Sequence, residues 1–435
     1  MKKMRMAIFI ITFCCTFYLW NRVITIDKDL STNIEAGSSV DYVLLGSSHM
    51  YHGINPLRIW NETGYIGYNL GSDLQIPETS YLSLKEFIDK GNKPKVVFFD
   101  FLGFTIGDGN ASYNLETSTR FPLDKDKIKY LSAIKANERL TMVFPFLQFH
   151  SRWKDLNKND YTFEKNNGVY NFMGYLPFFT KYVSDENEFY TEGQMKDDYI
   201  PSQKLLDEFE KIYNLCKDNG IDLVVIKTPT MGWTKVIHSQ IKKNFTDPYG
   251  VDFIDFNDIY KEIDFDYKND FADPFHVNDN GSIKITKYLT EYISENYSFT
   301  DKRDSAVAKV WDEKYNEYLH YIDLNKADSM ENMEDYVAAF TGEDYLVLTT
   351  YEDKDGVKVT ARVNSESIAE DADEYKASVS FTYDNKNFYI ESTKNIFNKA
   401  SKIQVDLQNY SKNNGKTNIV VYDRLFNVVV STRSF

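Results

Sequence analysis

Hydrophobic positions along the chain fall into three regimes. The first is a single apolar block, Met6 to Trp20 (MAIFIITFCCTFYLW), preceded by Lys2, Lys3 and Arg5 and prolonged by Val23-Ile24-Thr25-Ile26. A basic flank before an apolar stretch of this length, with no small-x-small cleavage pattern promptly after it, predicts an uncleaved signal-anchor helix over residues 1–26, with a removed signal peptide, or more weakly a lipoprotein, as the alternative. Tyr18 and Trp20 suit the membrane–water interface, and the basic end stays on the cytoplasmic side. The expectation is a single-pass protein of the cell membrane whose bulk is extracytoplasmic. Residues 27–40 are polar with Ser and Gly and read as a stalk.

In the second regime, short continuous apolar runs alternate with helical patterns. YVLL (42–45), the Tyr65–Leu70 segment, KVVFFDF (95–101), IDLVVIK (221–227) and Val251–Phe256 are strands of the kind buried on both faces. Between them lie a helix opened by Asn55-Pro56 and closed by Gly64, one from Pro77 to Gly91, and an amphipathic one from Gln203 to Asn219 ended by Gly220. Another, SIKITKYLTEYISE, follows Asp279-Asn280-Gly281. This alternation predicts an α/β domain over residues 41–300, a central parallel sheet with helices on both faces, three layers in all. Residues 102–201 break the pattern as an aromatic-rich insertion containing FPFLQFHSRW and NFMGYLPFF. In the third regime, a charged helical connector (301–328) leads into short strands split by polar turns, predicting a separate β-rich domain over 329–435.

Composition narrows the partners. The formal net charge is −15, and no basic patch stands out, so a nucleic-acid partner is set aside. Of three cysteines, Cys14 and Cys15 lie in the apolar block and Cys216 lies alone on a helix, which excludes an intramolecular disulfide framework and a cysteine-based zinc site.

Chemistry concentrates at two places. The first strand ends in Gly46-Ser47-Ser48-His49, with His52 close behind. In open α/β sheets reactive groups gather at the carboxyl ends of strands, so Ser48 is placed to be a nucleophile. A serine needs a base oriented by a carboxylate, and Asp273-Pro274-Phe275-His276, directly before the last helix of the domain, offers both on one loop. Gly71, ending the second strand, can offer its backbone N–H beside that of Ser48 to an oxyanion. Secondary candidates for substrate contact are His52, Asp100 at the end of the third strand, and His150, Arg152 and Trp153 of the insertion: Arg152 as an anion clamp, Trp153 as a sugar platform. The competing reading makes His49 and His52 turn residues and His150 to Trp153 a structural cluster. Two histidines in a loop without a third ligand make no metal site.

GSSH after the first strand, Asn69-Leu70-Gly71 after the second, and DPFHVNDNG before the last helix together resemble the SGNH/GDSL hydrolase superfamily, over residues 41–297. The resemblance implies Ser48 as nucleophile, Gly71 as oxyanion donor, Asp273 and His276 as the rest of the triad, and no cofactor or metal. The family's third block, G-x-N-D, is missing: Leu102-Gly103-Phe104-Thr105 follows KVVFFDF instead. The anchored arrangement with Gly-Ser-Ser is similar to teichoic-acid D-alanyl transfer and polysaccharide O-acetylation proteins. It implies an esterase or O-acyltransferase acting on acetyl or D-alanyl groups of a cell-surface polysaccharide or teichoic acid, beside a membrane-bound O-acyltransferase. Two alternatives stand: a decayed hydrolase scaffold serving as a glycan-binding or assembly protein, and a glycan binder driven by the β-rich domain.

Overall fold

The protein is described from a computed structural model covering residues 2–24, 40–105, 121, 124–132, 136–144, 146–154, 156, 172–183, 199–328, 330–394, 399–412, 416–424 and 428–435. The stalk at 27–39 and much of the insertion, 106–120, 157–171 and 184–198, lie outside the described residues. Contacts divide the chain into two units, Met1–Asn316 and Glu317–Phe435.

The first unit begins with helix α1 (Lys2–Ile24). Within α1, Met4–Asn21 has mean hydropathy 1.4 and no buried residue, long and apolar enough to cross a membrane. A five-stranded, wholly parallel sheet follows, built of β1 (Tyr42–Leu45), β2 (Gly67–Asn69), β3 (Val96–Asp100), β4 (Asp222–Lys227) and β5 (Asp252–Asp255), in the order β2-β1-β3-β4-β5. The order reverses between β1 and β3, and there the crevice outside the strand ends opens. The continuous apolar runs are strands because both of their faces are covered. Tyr42, Leu44, Val96, Phe98, Val224 and Ile226 form one core with Ile285, Leu289 and Ile293 of a late helix, while Val43, Leu45, Val97, Phe99 and Val225 are buried on the opposite face.

Local signals placed the helix ends. In α3 (Pro56–Thr63), Asn55 caps the N-terminus by accepting from Leu57 N–H, and Gly64 ends the helix at φ +72°. The segment after β1 differs from expectation. A six-residue helix, α2 (Ser48–Gly53), replaces the turn, because Ser47 adopts extended backbone and its hydroxyl accepts from His49 N–H. Ser48 is therefore the first residue of a helix. The helices α4 (Pro77–Asp89), α5 (Lys125–Ser132), α6 (Ala136–Val143) and α7 (Phe146–Phe149) follow, the last continued by a 3₁₀ turn over His150–Lys154. Then come α8 (Gln203–Asp218), α9 (Lys235–Ile241) and α10 (Asp279–Asn296), the last capped by Asn278.

The second unit is antiparallel and β-rich, with a five-stranded and a four-stranded sheet. Leu346, Leu348, Val359, Phe388, Ile390, Ile403 and Tyr422 of the two sheets share one apolar core. Tyr345, Val347, Ile419 and Val421 meet Leu324, Tyr336 and Phe340 of the helical segments on the other side. Its alternating strands thus bury one residue set in the sandwich and the other beneath helices.

Gly46 links the sheet to the crevice. Its φ is +142°, and a Cβ there would stand 2.5 Å from Asp100 Cβ on the neighbouring strand. Both atoms belong to a rigid strand end, so the contact cannot relax. Gly46→Ala is expected to lower stability by about 2 kcal/mol or more, read as a shift in denaturant midpoint at unchanged slope.

Candidate active site

Ser48 sits three residues beyond the carboxyl end of β1, its backbone held by the helix it starts. Ser47, the cap, is gripped from behind: its hydroxyl donates to Asp100 Oδ2 at 2.5 Å and its N–H to the same oxygen at 3.3 Å. Ser47 C=O accepts from Met50 N–H and its Oγ from His49 N–H, so the first-turn donor left unused is the N–H of Ser48. The Ser48 hydroxyl stands 2.8 Å from His276 Nε2. His276 Nδ1 lies 2.9 Å from Asp273 Oδ2 and 3.0 Å from Oδ1. A carboxylate only accepts, so Nδ1 carries the proton, leaving Nε2 to accept from the Ser48 hydroxyl.

Asp273 and His276 are organised by their own loop. Asp273 Oδ1 accepts the backbone N–H groups of Phe275 and His276, folding the segment into a tight turn that puts carboxylate and imidazole on one side. Burial alone raises the Asp273 carboxyl, but those N–H groups and the His276 ring outweigh it and hold the group below its ordinary value. Asp273 thus stays ionised. Phe275, 60 % exposed beside it, offers an apolar surface at the mouth.

Three imidazoles crowd the site. The rings of His49 and His52 stand edge-on to His276, centroids 5.2 and 5.4 Å away. His52 stacks on Phe178 and its Nδ1 donates to Leu176 C=O at 2.5 Å. Burial pushes His52 down to about 4, and burial with the charge of Lys227 holds His49 well below its ordinary value. Both neighbours of His276 are therefore neutral at pH 7, and neither adds positive charge against an imidazolium forming between them.

Behind His49 lies a group that hydrophobic patterning concealed. Lys227, the last residue of β4, is fully buried, with Nζ 3.4 Å from His49 Nδ1, 2.5 Å from Thr228 C=O and 4.8 Å from the centre of the Trp233 ring. Burial lowers it to about 8 against the pull of Asp100 and Asp255. Burial likewise raises Asp100 despite Lys227 and the Ser47 bonds. In sequence, Lys227 closes an apolar run and looks like a strand end reaching water.

Several expected site residues stand elsewhere or act otherwise. Asp100 is buried under Ser47 and faces no substrate space. Gly71 N–H donates to Asn69 Oδ1 at 3.0 Å, because the Asn69 side chain, pinned by Met50 C=O at 2.8 Å, curls over its own strand end. It is not held open for an oxyanion. A Cβ on Gly71 would meet that same oxygen at 2.9 Å and Ser47 C=O at 3.0 Å. Arg152 donates to the carbonyls of Val23 and Ile24 at the end of α1, and His150 bonds Leu147 C=O, so this trio belongs to the foot of α1. Trp153 is 59 % exposed there. Where G-x-N-D was missing, Leu102–Phe104 forms a 3₁₀ turn with Phe104 buried against Phe101. Among the described residues, no group of three metal-ligating side chains converges.

No family model matches the chain, and no curated protein matches it. Among solved structures, one from Bacteroides fragilis described as a "putative acylhydrolase" is similar over 62 % of this chain and 99 % of that one, at 13 % identity and a TM-score of 0.29.

The neutral histidines set a pH dependence. The unfolded chain protonates His52 near pH 6.5 and the folded chain only near 4, so the unfolded state binds more protons between these values. Stability is full above pH 6.5 and falls on acidification to pH 4, by about 3 kcal/mol for His52 alone. Urea titrations of wild type and His52→Gln in detergent across pH 4–7 should show a shallower fall in the variant.

Proposed function

We propose that the protein is a membrane-anchored, extracytoplasmic serine esterase or O-acyltransferase of SGNH type, with a three-layer α/β domain, acting on O-acyl groups of a cell-surface polymer. One observation carries the reading: the Ser48 hydroxyl 2.8 Å from His276 Nε2, whose other nitrogen is 2.9 Å from Asp273. This is nucleophile, base and orienting acid within hydrogen-bond reach in the required order.

Ser48 Oγ attacks the ester carbonyl as its proton passes to His276 Nε2. Asp273 holds the ring and stabilises the imidazolium, and the Ser48 N–H, at the positive end of a helix, faces the developing oxyanion. Collapse expels the leaving alcohol with the proton from His276 and leaves an acyl-serine. Water or a sugar hydroxyl, deprotonated by the same imidazole, then releases the acyl group; the acceptor separates esterase from transferase. The acyl group is acetyl or D-alanyl, the polymer a polysaccharide or teichoic acid, and a membrane-bound O-acyltransferase fits as the source of acyl groups. Helix α1 spans the membrane with its basic end inside, and the β-rich unit is an accessory domain.

A second reading draws on a specific feature. The Gly71 N–H is taken by Asn69 and the G-x-N-D block is absent, so two of the family's oxyanion donors are not on offer. That favours a non-catalytic scaffold binding glycan or assembling a complex.

Fluorophosphonate labelling of the full chain in detergent separates the two. The catalytic reading expects labelling of wild type, none of Ser48→Ala, and a drop of at least about 10³-fold in rate for His276→Ala. A folded wild type that does not label sinks that reading in favour of the scaffold.

A further inference from the structure

Part of the aromatic-rich insertion has the surface of a membrane-contacting element. At the end of α1, Val23 and Ile24 are buried against the body of the unit, and Arg152 Nη1 donates to their carbonyls at 3.2 and 2.9 Å. Higher on α1, Phe17 meets Phe146 of α7 edge-on, ring centres 5.5 Å apart. Thus α7 and the following 3₁₀ turn lie alongside the last turns of the helix. Phe17 is four residues short of the end of the apolar span at Asn21, about 6 Å along the axis. Interfacial helices bury their apolar faces by about 5–10 Å, so α7 stands at the depth such an element occupies.

What the segment turns outward fits that depth. Leu140, Phe144, Leu147 and Trp153 are 56, 47, 40 and 59 % exposed. The inward side is anchored: Met142 of α6 is fully buried with Leu82 of α4 and Tyr130 and Leu131 of α5. The exposed apolar side chains are therefore held on a fixed seat, beside a helix that exposes Phe9, Phe13 and Tyr18. Charge points the same way. Between residues 136 and 154 the sequence has Arg139, Arg152 and Lys154 against the single acid Glu138, in a chain of net charge −15. Arg139 and Lys154 are exposed beside the apolar residues, and Lys154 Nζ lies over the Trp153 ring at 5.8 Å.

We infer that residues 136–144 and 146–154 form a collar that rests on the outer leaflet where α1 leaves it, its partner being the surface of a bilayer containing anionic lipid. The collar inserts Phe144, Leu147 and Trp153 among the headgroups, and exposed Arg139 and Lys154 meet lipid phosphates. The inference rests on the reading that α1 spans the bilayer, and it fixes the first unit against the membrane at two points, where the anchor alone leaves it free to swing.

The test uses the full chain with Cys14→Ser and Cys15→Ser, leaving only buried Cys216. Single cysteines Phe144→Cys, Leu147→Cys and, as a reference on α10 of the same unit, Lys287→Cys carry an environment-sensitive nitrobenzoxadiazole label. The proteins are reconstituted in phosphatidylcholine–phosphatidylglycerol vesicles with or without lipids bearing a nitroxide near the headgroup. A version retaining Cys14, labelled there, reports on α1 with a nitroxide deep in the acyl chain. The collar expects blue-shifted emission at 144 and 147, quenched about twofold by the shallow nitroxide, with position 287 unaffected. Quenching at 14 with water-like, unquenched emission at 144 and 147 overturns the collar and leaves the anchor standing. Absence of quenching at 14 overturns the anchor reading and the collar with it. Blue-shifted emission at 144 and 147 that lipid nitroxides fail to quench also overturns it, since protein then covers the face.

Discussion

The arrangement around Ser48 hangs on one close approach, that of Gly46 to Asp100 at the carboxyl ends of adjacent parallel strands. With no side chain on Gly46, the end of β1 closes onto β3 and the Asp100 carboxylate reaches both polar groups of Ser47. That grip fixes Ser47 as the cap of α2, and the cap fixes Ser48 as the first helical residue. Ser48 then stands at the point where the strand order reverses between β1 and β3, its hydroxyl 2.8 Å from His276. The direction of the Ser48 hydroxyl is therefore set by a buried hydrogen bond on the far side of the backbone.

Burial organises the charges behind the site. A lysine and an aspartate sealed under the sheet end each lean toward their neutral forms, yet each has the other in reach, with His49 between Lys227 and His276. Desolvation keeps His49 and His52 neutral while leaving Asp273, half open to solvent and served by two backbone N–H groups, ionised. One crevice thus holds imidazoles in different electrostatic settings. Of these three imidazoles, His276 is the one paired with both a carboxylate and a hydroxyl.

The first unit also joins two kinds of surface. Its sheet is covered on both faces, while α1 and the segment beside it present apolar side chains outward. Those residues are enclosed in no described core, and their position beside an apolar helix gives them a shared environment. The second unit, by contrast, buries its alternating strands between sheets and beneath its own helical segments.

The sequence by itself determined the parallel α/β region, the apolar N-terminal helix and the β-rich unit, because periodicity and caps are local: Asn55-Pro56, Gly64 and Gly220 mark helix ends wherever the chain goes. It also pointed to Ser48, Asp273 and His276, since Asp-x-x-His closes its own turn and the strand-end serine has a chemistry of its own. Only the tertiary structure decided the partners. Which oxygen receives the Gly71 N–H depends on the Asn69 side chain folding over its strand end. Whether Lys227 reaches water depends on the chain crossing above it, and Asp100 becomes a clamp on Ser47 only because β1 and β3 pair in register. Residue type alone suggests Arg152 and Trp153 as substrate contacts. Their place at the foot of α1 depends on contacts between positions more than a hundred residues apart, which no local pattern encodes.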